Sequence, residues 1–110
     1  MGDKAFLGEF EHMVLAAVVR LGERAYGAAI VKEIEQQTGR SVSGGSLYVT
    51  LDRLEHKGLI TSRMAERNPR RGGRPKRFVT VTPDGLQALR AARDAMLNLW
   101  NGIEETLERS

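Results

Sequence analysis

The stretch VSGGSLYVTLDRLEHKGLI, residues 42–60, contains the signals of a helix with a defined start, one apolar face and a defined end. Ser43 is a suitable N-cap, because its hydroxyl can accept a backbone N–H of the first helical turn. Gly58 follows the last turn and tolerates the positive φ with which many helices end. Between these two residues, leucines recur at helical spacing and predict one buried face. They are Leu47, Leu51 and Leu54.

The remaining faces of this helix are predicted to stay open, and they carry hydroxyls and cations. The residues predicted to lie largely on these open faces are Ser46, Val49, Thr50, Arg53 and Lys57. A helix that buries leucines and presents such groups is suited to the major groove of DNA. An ordinary surface helix has the same pattern, so the rest of the chain must decide between the two interpretations.

The flanking sequence predicts two helices before this stretch and a β-hairpin after it. Apolar residues recur at helical spacing over residues 8–22 and 26–38, and four or five residues around Gly39 link the second helix to the third. Residues 59–67 and 77–81 have strand patterns and enclose a proline- and glycine-rich loop. The predicted fold class is mostly α with a β-hairpin wing (α+β), a winged helix-turn-helix.

A last helix is predicted from Pro83 to about Glu108, after the capping residue Thr82. At about 1.5 Å per residue it would be nearly 40 Å long. We divide the chain into a DNA-binding unit, residues 1–82, and a dimerisation helix, residues 83–110, which form one compact unit. The helix carries an apolar seam that either contacts a second copy or folds back on the first helix. The seam consists of Leu86, Leu89, Met96, Trp100, Ile103 and Leu107.

The charges of the chain are unevenly distributed. Residues 40–77 contain ten lysines and arginines against three acidic residues, although the net charge of the whole chain is only +3. This distribution indicates a polyanion-binding face or a solvated basic surface. The absence of cysteine fits a reducing, cytoplasmic setting. Neither a signal peptide nor an apolar run long enough to span a membrane is evident.

The sequence gives no indication of an enzyme. No set of nucleophile, base and orienting residue is apparent, and no phosphate-binding glycine loop follows a strand. His12 and His56 are far apart in the sequence, and only Asp52 stands at ligand spacing from one of them. We therefore expect neither a metal nor a cofactor.

At this point the chain resembles the PadR family of bacterial transcriptional regulators, over roughly residues 7–90. The matching motifs follow the family's order and spacing. They are Tyr26-Gly27, the run GSLYVTLDRLE at 45–55, KGLI at 57–60, GGRPKR at 72–77 and VTPDG at 81–85. The resemblance implies a homodimeric winged-helix repressor whose C-terminal helices mediate dimerisation. It also implies that some members release DNA when a small hydrophobic or aromatic effector binds near the dimer interface.

The candidate DNA-binding residues lie on the third helix and in the wing. Tyr48 is included because its family counterpart contacts DNA, although a half-buried packing role is the alternative. The wing is cationic and glycine-rich, which suits an electronegative minor groove, with a solvated loop as the alternative. The set is Ser43, Gly45, Ser46, Tyr48, Thr50, Arg53, Arg70, Arg71, Arg74, Lys76 and Arg77.

The predicted function is that of a homodimeric, sequence-specific DNA-binding regulator, a repressor of a pseudo-palindromic operator. The alternative is a winged-helix module that binds protein and has no specific DNA target. Trp100 and Met96 are the candidate effector-binding residues, and a simple interface anchor is the alternative role for Trp100. The predicted dimer interface consists of Phe10, Leu89, Met96, Trp100, Ile103 and Leu107.

Overall fold

The computed structural model describes residues 6–65 and 75–110 and contains five helices and one hairpin among them. Helix α1 spans Glu9–Leu21 and is followed by one 3₁₀ turn at Gly22–Arg24. Helices α2 and α3 span Gly27–Thr38 and Gly44–His56, and strands β1 and β2 span Ile60–Met64 and Arg77–Val81. Helix α4 spans Pro83–Trp100, and α5 spans Glu104–Arg109. The predicted winged helix-turn-helix is confirmed.

The core lies between α1, α2, α3 and the inner face of the hairpin. The three leucines predicted to face inward from α3 are fully buried, as are Val14 and Leu15 of α1 and Ile30 of α2. Strand β1 pairs antiparallel with β2, and Ile60 lies opposite Val81. Tyr26 forms an isolated bridge with Phe78 on the outer side of β2, which ties the hairpin to the start of α2.

Helix α3 begins and ends as its sequence predicts. The Ser43 hydroxyl accepts the Ser46 N–H at 3.1 Å, which satisfies a free donor of the first turn. At the other end Gly58 has a φ of 78°. The Gly58 N–H donates to the Glu55 carbonyl, and the Leu59 N–H donates to the Leu54 carbonyl. This pair of bonds is a Schellman motif, and it directs the chain into β1.

The first turn of α4 is docked on the turn that ends α3. The Thr82 hydroxyl accepts the Gly85 N–H as an N-cap and donates to the Gly58 carbonyl at 2.8 Å. The Thr82 N–H donates to the Leu59 carbonyl at 3.0 Å. Gly85 is buried there, and a Cβ on it would lie 2.1 Å from the Leu59 carbonyl oxygen. Only a glycine permits this close approach.

The prediction of one unbroken C-terminal helix is wrong. Helix α4 ends at Trp100, and Asn101 leaves the helical region with a ψ of 119°. Gly102 follows in the left-handed region with a φ of 91°, and α5 starts two residues later. The Asn101-Gly102 pair explains the break, because both residues favour turns over helix interiors. Helix α4 is therefore about 27 Å long. In the described part of the chain, no helix combines the length and apolarity that a membrane span requires.

Candidate nucleic-acid interface

The start of α3 presents backbone to solvent. Gly44 and Gly45 are exposed, and no heavy atom lies within 4 Å of the place where a Cβ would be on either residue. The Ser43 hydroxyl also donates to the Ser46 hydroxyl at 2.9 Å. The helix N-terminus carries a partial positive charge and unpaired N–H groups. A phosphate could approach this turn closely, so its geometry is compatible with the contacts predicted for Ser43, Gly45 and Ser46.

Tyr48 projects from α3 toward the start of α2. Its side chain is half exposed, at 46%. Its hydroxyl lies against Gly27, where an added Cβ would be only 2.5 Å from the phenolic oxygen. Because Gly27 has no side chain, the Tyr48 ring can pack at this position. The phenolic end is packed against Gly27 while the residue as a whole is half exposed, so both alternative roles for Tyr48 stay open.

Changing Gly27 to Ala is expected to displace the Tyr48 ring with little loss of stability, because only the end of one side chain has to move. If Tyr48 contacts DNA, duplex affinity should fall severalfold while the free energy of unfolding changes by less than about 1 kcal/mol. Fluorescence anisotropy and urea denaturation measure the two quantities.

A double-mutant cycle supplies the control for this prediction. In a Tyr48→Ala background, Gly27→Ala should cause no further loss of affinity, since the displaced side chain is absent. Equal losses in the two backgrounds would mean that Gly27 acts independently of Tyr48.

The prediction that Thr50 lies on an open face of α3 is wrong. Its side chain is buried, with only 4% of the residue exposed. Thr50 is one turn from Leu47 and Leu54 on the same side of the helix, and therefore turns toward the core. Thr50 is therefore not placed to contact DNA.

Arg77 is also placed differently from the prediction. Its guanidinium donates to Asp52 at 2.9 Å and to Glu55 at 2.8 Å, and 17% of its side chain is exposed. Glu55 also accepts the Ser62 hydroxyl at 2.6 Å. Hydrogen bonds from Ser62 and Arg77 lower the pKa of the Glu55 carboxyl, so it stays ionised at neutral pH. Arg77 therefore braces β2 against α3 and is not available as a DNA contact.

The other predicted cations divide into two groups. Arg53 and Lys76 are exposed, and Lys76 lies over the Tyr26 ring with its nitrogen 4.1 Å from the ring centre. Arg63 lies in the same way over Phe78, at 4.8 Å. These contacts keep cations along the base of the wing without neutralising them. The predicted contacts Arg70, Arg71 and Arg74 lie outside the described residues.

An ion pair between a buried glutamate and a partly exposed lysine, at the C-terminal end of α3, is absent from the sequence-based prediction. Lys57 donates to both carboxylate oxygens of Glu11, at 3.1 and 2.9 Å, and Glu11 is 5% exposed. Burial alone raises the pKa of the Glu11 carboxyl. The hydrogen bond from the Gly8 N–H and the Lys57 ammonium outweigh it, so the pKa lies below the ordinary 4.5. The pair holds α3 against α1 at neutral pH.

The predicted dimer-interface residues occupy two different environments. Phe10 and Leu89 are partly buried against the core of their own chain. Helices α1 and α4 are in contact, as in the alternative in which the last helix folds back on α1, and the dimer role of these two residues stays a prediction. Met96, Trp100, Ile103 and Leu107 are exposed by 45–55%. An open, largely apolar groove of about 580 Å³ lies between the start of α1 and α4, and Phe6, Met13 and Met96 line it.

The helix-turn-helix packed on the core, the outward face of α3 and the antiparallel β1–β2 wing define a winged-helix protein of the DNA-binding type. The chain belongs to the PadR-like family of transcriptional regulators, whose profile matches residues 14–91. This membership confirms the predicted family and the prediction that the chain is not an enzyme, because family members are transcriptional regulators.

Relatives and solved structures agree with this assignment. Transcriptional regulator Rv3488 of Mycobacterium tuberculosis (strain ATCC 25618 / H37Rv) is 38% identical over 74 residues, which are 67% of this chain and 64% of the relative. The match thus covers slightly less than two thirds of that relative's length. The crystal structure of a PadR family regulator from Eggerthella lenta DSM 2243 is 28% identical, with a TM-score of 0.68 over 93% of this chain and 88% of that one.

A further solved structure contains DNA. Bacillus subtilis PadR in complex with operator DNA is 25% identical to this chain, with a TM-score of 0.63. The similarity covers 74% of this chain and 46% of the other.

Proposed function

We propose that this chain is a homodimeric, sequence-specific DNA-binding regulator that represses transcription from a pseudo-palindromic operator. The observation that carries the proposal is the outward face of α3, which begins with two exposed glycines, together with the cations Arg63 and Lys76 at the base of the wing. Backbone amides at the helix start would bind phosphate, and α3 would lie in the major groove. The Bacillus subtilis relative, solved with its operator, supports this use of the fold. Action on bacterial DNA would place the protein in the cytoplasm.

The proposed α3 contacts and Lys76 follow from the placements described above, and the three wing arginines follow from the sequence alone. On α3 they are Ser43, Gly45, Ser46, Tyr48 and Arg53, and in the wing they are Arg70, Arg71, Arg74 and Lys76. Two recognition helices of a dimer would lie about one DNA turn, roughly 34 Å, apart. That separation is the reason for expecting an operator with two related half-sites.

Selection of bound duplexes from a random library at physiological salt, with molar mass measured by light scattering, tests this proposal. We expect a two-fold related site bound by a dimer. Changing Arg70, Arg71 and Arg74 to Glu should nearly abolish binding and reduce the slope of log affinity against log salt by up to about five, for six lost phosphate contacts per dimer. The same reversal at Arg24, Lys32 and Arg90 matches the charge change at exposed positions elsewhere and should have a much smaller effect.

The competing function is a winged-helix module that binds protein. It would be favoured by a dimer that selects no duplex sequence and that keeps its protein contacts after the wing reversal. A salt-independent affinity for duplex DNA would contradict the proposed phosphate contacts.

We also propose that a small hydrophobic or aromatic effector binds beside Trp100 and Met96 at the dimer interface and releases DNA. Trp100 is 45% exposed, and Met96 lines the apolar groove. Titration of Trp100 fluorescence with planar aromatic compounds, performed with and without operator, tests this idea. Binding that quenches Trp100 should lower operator affinity, whereas quenching with unchanged affinity would contradict an allosteric role.

A further inference from the structure

Val49 is an exposed aliphatic side chain on a surface of α3 whose other exposed residues are glycine, polar, charged or, at Tyr48, aromatic. It is the sixth of the thirteen residues of this helix, and 59% of it is exposed. Packing therefore does not account for a valine here, and a β-branched residue is not favoured in a helix interior. A contact with a partner on the outer side of the helix would explain a valine at this position.

The helical repeat places Val49 on the row most distant from the core. Gly45, Val49, Asp52 and His56 follow one another at steps of four, three and four, and all four are exposed. This row lies opposite the buried leucines of α3. Residues in the N-terminal half of a recognition helix are those that reach base edges. Val49 is one turn beyond Gly45, in that half.

Several polar groups around Val49 are already engaged within the described part of the chain. The Ser43 hydroxyl donates to the Ser46 hydroxyl, which keeps its own hydrogen for the phosphate contact proposed above, and the Thr50 side chain is buried. The carboxylate of Asp52, the next residue along the row, is paired with Arg77. The two methyl groups of Val49 therefore lie at the centre of this surface and are available for an apolar contact with DNA.

The major groove offers one apolar group to such a side chain. Thymine presents its 5-methyl group there, and cytosine has no group at the same place. Burying one methyl group against valine is worth about 0.8 kcal/mol, or roughly a fourfold change in affinity. We propose that Val49 reads a thymine in each half-site through contact with its 5-methyl group. This inference rests on the proposed function and adds a specificity-determining residue to it.

The experiment replaces each thymine of the selected operator in turn by deoxyuridine, which removes only the methyl group. For the unchanged protein, replacement at one symmetric pair of positions should lower affinity by about fifteenfold, as the product of two fourfold effects. Val49→Ala should bind the thymine duplex about as weakly as the unchanged protein binds the uracil duplex. Its ratio of thymine to uracil affinity should be close to one.

Val19→Ala is the matched control, because Val19 is a similarly exposed valine on α1, 48% exposed. It should retain the full thymine-to-uracil ratio. A Val49→Ala protein that also retained this ratio would overturn the inference, as would an operator at which no thymine methyl matters. In both cases sequence-specific binding, and hence the proposed function, would stand. Failure to select any operator sequence would overturn both.

Discussion

Ile103→Asp is expected to convert the proposed dimer into monomers and to weaken operator binding by about 100-fold or more. Ile103 lies between Trp100 and Leu107, and the three residues are similarly half exposed. A carboxylate buried between two copies without a partner would oppose association strongly. Two linked half-site contacts typically exceed one contact by about 10²–10⁴ in affinity, and a monomer would lose this gain.

The substitution should leave the monomer folded. Ile103 contributes nothing to the buried core, and it is the N-cap residue of α5. Aspartate is a favourable N-cap, so α5 should form at least as well as before. Light scattering or sedimentation gives the molar mass, and circular dichroism tests whether the helix content is preserved.

Asn98→Asp is the matched control for this prediction. It adds the same carboxylate to an exposed position about half a turn around α4 from Trp100. This variant should remain dimeric and bind the operator normally. If Ile103→Asp stayed dimeric as well, the interface would have to lie elsewhere, with the groove between α1 and α4 as the next surface to test.

Gly85→Ala is expected to cause the largest loss of stability among the glycine substitutions, about 3 kcal/mol. The added Cβ would be 2.1 Å from the Leu59 carbonyl oxygen and 2.6 Å from a methyl carbon of Val81. The first obstacle is backbone, so a change of side-chain rotamer cannot relieve it. Helix α4 would have to move away from the end of α3, with loss of the Thr82 bonds to that turn.

Thermal and urea unfolding measure this effect. For a domain of this size, 3 kcal/mol corresponds to a fall in Tm of roughly 10–20 °C. Gly45→Ala is the matched control, because Gly45 also lies in the first turn of a helix but has nothing within 4 Å of its Cβ position. There alanine should be neutral or stabilising by up to about 1 kcal/mol. Equal stability of the two variants would show that the contact at Gly85 is not tight.

Features set by neighbours in the chain were predictable from the sequence. The Ser43 cap, the Gly58 turn and the leucine face of α3 follow from local signals, and so does the β1–β2 hairpin. The break after Trp100 also has a local signal, the Asn101-Gly102 pair, but the regular seam on either side of it suggested continuity. The burial of Thr50 follows from its angular position on α3, close to Leu47 and Leu54. The prediction of an open position rested on its polar side chain instead of on that angle.

Contacts between distant parts of the chain were not predictable. Lys57 and Glu11 are 46 positions apart, and nothing in either segment identifies the other. A glutamate at a core-facing position of α1, close to Val14, does signal that some cation must accompany it. The partners of Arg77 depend in the same way on how the hairpin packs against α3. The sequence therefore predicted a cationic wing, but it did not predict that Arg77 forms ion pairs with α3.

The docking of α4 on the turn after α3 has a geometric consequence for operator length. Thr82 and Gly85 fix the start of α4 to the backbone at Gly58 and Leu59. Helices α3 and α4 are therefore expected to move together as one rigid unit. A tilt of about 7° over the roughly 27 Å of α4 shifts its far end by about 3.4 Å, the rise of one base pair. In the proposed dimer, the number of base pairs between half-sites would therefore report the angle at which the α4 helices of the two copies meet.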